Sequence, residues 1–281
     1  HYVQSWVRTL ADASGVRYME ISAEPPNGTR LFRRQVALID VDEGTGSQPL
    51  SVEQQKCRAK LPTGVVTANS YVFDVFRVSG GQMHTYCFHG PVSDELVVND
   101  QARQAVAPAK EGAEATVDQQ YLQAFNAATD TWFAADAPAL LSARWRYSRQ
   151  GTGSEMQMAA PNFEEASPRK YTRLHLFDTA GLRVLQGAYN CHNNGYRLHN
   201  VFAQKRASST NDELESAFVA LIEPYAGEPF ITEKRSLAIA DNETDARRAV
   251  AVEVKTRNGH TDVLFADGRP DKSRTVGSLT V

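Results

Sequence analysis

Ser70-Tyr-Val-Phe-Asp74-Val-Phe-Arg77-Val-Ser-Gly80-Gly81-Gln-Met-His84-Thr-Tyr86-Cys-Phe-His89-Gly90 is the stretch whose reading decides the fold class. Its first half is rich in β-branched and aromatic residues and its second half alternates, the pattern of two strands. Gly80-Gly81 between them reads as a two-residue hairpin turn. In that register Arg77 comes opposite His84, and Asp74 opposite Cys87. Along the second strand His84, Tyr86 and Phe88 share one face, while Thr85, Cys87 and His89 share the other.

Working outward, the same signals recur. Strands are expected at residues 16–21, 33–40, 70–78, 83–89, 141–147, 155–158, 171–177 and 182–187, then at 196–205, 217–223, 236–240, 249–255 and 261–266. Turn residues such as Pro26-Asn27-Gly28 and Asn194-Gly195 punctuate them. Many short strands with almost no helix between them imply an all-β antiparallel sandwich with a smaller sheet after it. Two stretches depart from the pattern. Residues 105–116 read as a loop, and Tyr121, Leu122 and Phe125 mark one short amphipathic helix within 118–128. Pro161 and Pro168 flank an acidic turn that is a candidate boundary, dividing the chain into 1–165 and 166–281.

Composition narrows the function. With 281 residues, 30 Lys+Arg against 33 Asp+Glu and a net charge of −3, the chain is not a generally basic nucleic-acid binder. No apolar run approaches the ~20 residues that span a bilayer. His1-Tyr-Val-Gln-Ser-Trp6 is not a signal peptide, and the absence of a starting Met suggests a piece of something longer. Cys57, Cys87 and Cys191 are widely spaced with no C-x-x-C. They read as three small buried hydrophobes, one bridge plus a free thiol being the alternative.

Three polar clusters could carry chemistry. In the first, a His and a Tyr two apart on one strand face can position an acid/base pair over an extended substrate, and a facing Arg77 favours neutral, basic His84. His84 and His89 fall on opposite faces, which counts against a local zinc site. The competing reading is structural: Asp74 with His89 as a pair, Arg77 and His84 satisfying buried polar groups. On periodicity alone this structural reading stands ahead. The second cluster runs from Tyr189 to Asn200 and places Tyr196, Leu198 and Asn200 on one face, a polar and aromatic edge that suits a carbohydrate. Turn polars on a solvated strand explain it equally well. In the third, Arg146 with Trp145 or Tyr147 can hold an anionic sugar, since Arg pairs with carboxylate or sulfate in a bidentate way. Arg144 shares its face, which is also ordinary for an outer strand. No P-loop, nucleophile elbow, dinucleotide fingerprint or HExxH is present.

The run D-x-x-R-x-x-G-G-x-x-H-x-x-x-x-H over Asp74 to His89, with Arg33-Arg-Gln-Val-Ala-Leu-Ile-Asp40 before it and Phe218-Val-Ala-Leu-Ile-Glu-Pro-Tyr225 after it, resembles the β-sandwich of heparinase II/III-family polysaccharide lyases. The resemblance runs from about Val16 to Phe265 and is sparse between Ala105 and Lys170. It implies an N-terminal α/α toroid, a large antiparallel super-sandwich and a smaller C-terminal sheet. It also implies β-elimination on a uronic-acid-containing polysaccharide in the periplasm or outside the cell: the C5 carboxylate is neutralised, the C5 proton removed and the departing O4 protonated. In that family most of the chemistry sits on the toroid, and the zinc ligands in an early His-x-His segment. Neither is seen in this sequence, so no metal ligand is assigned and zinc is left to residues upstream.

The expectation is then one wall of a substrate cleft for an acidic polysaccharide, with the toroid of the same chain as its partner and no nucleic acid or membrane span. His84 and Tyr86 are the candidate catalytic pair. Arg77, His89, Arg146, Tyr196 and Asn200 are the candidate substrate contacts, and Asp74 with His89 the candidate structural pair. A non-catalytic carbohydrate-binding or scaffold sandwich is the alternative. A mutarotase-like enzyme carrying its own His and Glu is a third.

Overall fold

The computed structural model describes residues 4–25, 28–41, 69–91, 95–98, 131–133, 140–147, 169–179, 181–191 and 196–281. Among them there is no helix, and every pairing between strands is antiparallel. The short helix expected within 118–128 and the strand expected at 155–158 lie outside the described residues.

Seventeen strands follow one another among the described residues. The central sheet, A, joins eight of them in the order β1 (Ser5–Ala13), β2 (Val16–Ala23), β3 (Leu31–Val41), β4 (Asn69–Ser79), β12 (Glu215–Ala226), β9 (Lys170–Phe177), β8 (Leu140–Arg146), β6 (Glu95–Val98). Sheet B has the order β5 (Met83–His89), β11 (Tyr196–Arg206), β10 (Arg183–Cys191), β7 (Thr131–Phe133). Sheet C is formed by β13 (Ile231–Ser236), β14 (Val250–Thr256) and β15 (Thr261–Ala266), and a last small ribbon by β16 (Thr275–Val276) and β17 (Leu279–Thr280). Sheet A takes strands from both sides of residue 165, and sheet C lies wholly after it.

Side-chain alternation explains why sheet A is the middle layer. On β8, Leu141, Ala143 and Trp145 are buried while Leu140, Ser142, Arg144 and Arg146 are half-buried. The first set joins Leu174, Leu176, Phe218 and Ala220 of sheet A with Tyr86, Val184, Val201 and Ala203 of sheet B in one core. The opposite face of sheet A contributes Tyr71, Phe73, Val75, Val219 and Leu221 to a second core against Ile231, Val250, Val252 and Val254 of sheet C. A large apolar side chain buried in either core contributes roughly 1.5–3 kcal/mol.

The Gly80-Gly81 hairpin is corrected by the structure. β4 and β5 do not pair: β4 lies between β3 and β12, with Ser79 registered against both Leu31 and Glu215, and β5 pairs with β11 in the other sheet. Both edges of β4 are taken, so the two glycines, at φ 85° and 79°, carry the chain out of sheet A and into sheet B. The corner is pinned by Gly80 N–H to Leu214 O at 2.8 Å and Leu214 N–H to Gly81 O at 3.0 Å. The strand expected at 236–240 is also displaced. β13 spans Ile231–Ser236, where β14 offers it partners, and Ile239 makes only an isolated bridge to Val276.

β1 has no inward face; all nine of its residues are exposed. Its pairing with β2 slips between Val7 and Thr9, a bulge that leaves Arg8 over, with its Nε 3.1 Å from Glu20.

Candidate functional site

The motif that carries the family resemblance straddles all three layers. Asp74 and Arg77, three apart on β4, point to opposite faces of sheet A. His84 and Tyr86 share the inward face of β5, as expected.

Asp74 is buried between sheets A and B, where it accepts hydrogen bonds from Arg34 Nε at 2.8 Å and from the Tyr86 hydroxyl at 2.8 Å. Arg34 also lies over the Tyr86 ring, 5.8 Å from its centroid. Burial first, then the neighbouring Asp74 charge, pushes the Tyr86 phenol well above its ordinary value, so this hydroxyl keeps its proton. The expected pairing of Asp74 with His89 does not form. His89 is exposed at the far end of β5 with Nδ1 2.9 Å from Gly90 O, and the carboxylate instead meets a guanidinium from the adjacent strand β3.

Arg77 faces sheet C and is completely buried. Its Nε donates to Gln35 Oε1 at 2.9 Å, Nη1 to Ala246 O at 2.9 Å and Arg248 O at 2.6 Å, and Nη2 to Ala266 O at 3.1 Å. It does not lie opposite His84. Its cross-strand neighbours are Arg33 and Ala217, because β4 pairs with β3 and β12. Burial, then the like charges of Arg33 and Arg248, lowers its pKa to about 10, which leaves it cationic at neutral pH.

His84 is 2% exposed and both ring nitrogens are engaged. Nε2 lies 2.6 Å from Gly80 O, so it carries the proton, and Nδ1 accepts from the Ser216 hydroxyl at 2.8 Å. Burial lowers the His84 pKa and keeps the ring neutral. Ser216, His84 and the Gly80 carbonyl thus form a hydrogen-bonded chain across the corner between the two sheets.

The remaining candidates lie apart. Asn200 is buried and pairs across strands with His89. Arg146 is half-buried at the end of β8, in register with Tyr171. Tyr196 opens β11 opposite Cys191, and its side chain lies outside the described residues. Cys87 is a free, exposed thiol rather than a buried hydrophobe; Cys57 and the side chain of Cys191 lie outside the described residues.

A further buried group escaped the reading of the sequence. Arg173 and His175 on β9 share a face with Glu223 on β12. Glu223 is completely buried; its Oε1 accepts the Phe230 and Ile231 N–H groups, each at 2.7 Å, and its Oε2 accepts Arg173 Nε at 2.8 Å. His175 has Nδ1 2.6 Å from Ser142 Oγ, while its Nε2 sits 3.8 Å from Glu223, beyond hydrogen-bond length. Burial pushes the His175 pKa down to about 4. The signal was present: alternation from Tyr171 puts Arg173 and His175 on one face, and Glu223 interrupts an apolar run.

Two adjoining clefts, ≈ 290 Å³ and ≈ 110 Å³, share Asp178 and Arg248 beside the point where β9 stops. Asp178, at φ 53°, accepts from Ser236 Oγ at 3.1 Å and Arg248 Nη2 at 3.3 Å, so their main charges already face each other. Among the described residues no group of three or more His, Cys, Asp and Glu side chains could hold a metal ion. Both ring nitrogens of His84 are engaged, by Ser216 and by Gly80 O. No helix among them is long and apolar enough to cross a membrane.

No protein-family model and no curated protein matches this chain. Among solved structures, a heparinase III gene product matches with a TM-score of 0.45 at 10% identity, over 94% of this chain and 28% of that one. The heparan sulfate lyase HepC from Pedobacter heparinus matches with a TM-score of 0.35 at 8% identity, again over 94% of this chain and 28% of that one. The chain thus spans under a third of the length of these structures.

Proposed function

We propose that this chain is the β-sandwich part of a polysaccharide lyase, acting by β-elimination on a uronic-acid-containing polysaccharide in the periplasm or outside the cell. It forms one wall and the support of the substrate cleft. The observation that carries this reading is the placement of the D-x-x-R…G-G…H-x-Y run. Its sequence resembles the sandwich of heparinase II/III lyases, and its polar groups bind three sheets to one another: Asp74 to Tyr86 between A and B, Arg77 to the carbonyls beside sheet C, His84 to Ser216 across the corner. With His84 and Tyr86 turned inwards and nearly inaccessible, the groups that remove the C5 proton and protonate O4 belong to a helical domain of the same polypeptide. Zinc, if the parent enzyme uses it, is held there or by other residues upstream.

The same inward-turned polar groups favour a second reading, a carbohydrate-binding or scaffold sandwich with no catalytic partner. The full-length gene product and this chain alone, each incubated with heparan sulfate, alginate and hyaluronan, separate the two. Ultraviolet absorbance of the unsaturated uronate should rise with the full-length protein and stay flat with the chain alone. Turnover by the isolated chain would overturn the supporting role, and no product from the full-length protein on any uronate would overturn the lyase.

A further inference from the structure

We infer that the larger of the two clefts beside the end of β9 is a seat for an uncharged sugar ring, held by Asp178 and Arg248; this rests on the carbohydrate reading above. The cleft exists because β9 is shorter than its neighbour. Its register with β12 stops at Phe177 opposite Val219, while β12 continues to Glu215, so that edge has no strand partner among the described residues. Asp178 follows directly, at φ 53°, a left-handed conformation that an aspartate tolerates and that ends the strand. The facing wall is fixed before any ligand arrives. Leu237 N–H donates to Ala251 O at 2.9 Å, and the Asn242 side chain bridges both main-chain groups of Ala249, at 2.8 and 2.9 Å.

Arg248 lines both clefts and is left under-used. Its Nη1 is buried and has no hydrogen-bond partner among the described residues. Its Nη2 makes two long contacts, to Asp178 Oδ2 at 3.3 Å and Ala217 O at 3.4 Å, beyond the usual limit of about 3.2 Å. A buried N–H without an acceptor is costly, and few persist in folded proteins. Asp178 also has capacity to spare. Oδ1 accepts from Ser236 and Oδ2 from Arg248, and each oxygen can take a second donor. The pair therefore offers a donor and an acceptor side by side. Neighbouring sugar hydroxyls match it, one giving its proton to Asp178 and the other accepting Arg248 Nη1–H. Leu237, Ile239 and Val250 supply an apolar wall for the C–H face of the ring. At ≈ 290 Å³ the cleft stands at the low end of small-molecule sites, about 300 Å³, and takes one ring rather than a chain. Charge argues against an anion. Asp178 already faces Arg248, and the adjoining cleft adds Glu215 and Asp245 against Lys205, so a carboxylate or sulfate meets carboxylates on arrival.

The test is an NMR titration of this chain with the methyl glycosides of glucose, galactose, mannose and N-acetylglucosamine, and with sodium glucuronate as the charged probe. At least one neutral glycoside should shift the Leu237, Ile239 and Ala249 amides saturably, with a dissociation constant on the order of millimolar. Glucuronate should bind more weakly. Asp178→Asn and Arg248→Gln should each bind about tenfold more weakly with an unchanged melting temperature. Arg17→Gln, on β2 and outside the cleft lining, should bind like the parent. No saturable shift with any neutral glycoside, unchanged affinity in both cleft variants, or tighter binding of glucuronate would each overturn the site. If Arg248→Gln melts early, Asp178→Asn decides alone, since the Asp178 side chain is half exposed. Ultraviolet turnover by the full-length protein without glycoside binding here leaves the lyase standing and removes this site. Glycoside binding here without turnover keeps the site, on a non-catalytic sandwich.

Discussion

Arg77 shows how a side chain that looks suited to a ligand can instead be spent on architecture. Its guanidinium is saturated by Gln35 and three main-chain carbonyls, two of them in the segment before β14 and one at the end of β15. Arg77→Met leaves those carbonyls without a donor in a dry interior, and should lower unfolding free energy in urea by about 3 kcal/mol. Arg235→Met, which removes an exposed arginine paired with Glu253, should cost less than about 1 kcal/mol. A comparable small loss in both would mean that Arg77 does not tie sheet A to sheet C. The residue type and strand position of Arg77 were legible in the sequence. The convergence of carbonyls from residues 246, 248 and 266 on it was not, because nothing local encodes a contact across roughly 170 residues.

At the scale of elements, alternation was the part that could be read directly. It located β5 and β15 to the residue and put His84, Tyr86 and Phe88 on one face. It failed where no face is buried, as in β1, and where partner choice decides, as at the Gly80-Gly81 corner. β12, which fills one edge of β4, begins at Glu215, so a local rule favouring hairpins had no sight of its competitor. Glycine is needed at that corner for two separate reasons. Gly80 has φ 85°, and a Cβ there would lie 3.0 Å from Gly28 O and 3.2 Å from Arg30 N. Gly15 has φ 76° but open space around it. Gly15→Ala should therefore cost about 1 kcal/mol from backbone strain alone, and Gly80→Ala about 2–3 kcal/mol from strain plus contact. Equal urea midpoints for the two variants would refute the close approach at the corner.

For the whole molecule, the buried His175 and Glu223 set the response to acid. The His175 pKa in the folded protein, about 4, lies below the ordinary 6.5, so the unfolded chain takes up this proton first. Its contribution is complete above about pH 6.5 and is lost as pH falls toward 4. Glu223, held below its ordinary carboxylate range by its neighbours, acts in the same direction at lower pH. The His175 part amounts to about 3 kcal/mol at most. Urea midpoints between pH 7.5 and 4 should fall steeply for the parent and less steeply for His175→Gln; parallel curves would show that this ring does not govern the acid limb. Exposure at the other end of sheet A carries a consequence of a different kind. β1 displays Trp6 at 48% and Leu10 at 78% on the outermost strand, the profile of a template for intermolecular strand addition. The extra residue Arg8 breaks the spacing of its outer hydrogen-bonding groups and sets a charge among them. A second copy adding to this edge would have to accommodate the bulge and bury the charge, which is how an irregular edge strand discourages fibrous assembly.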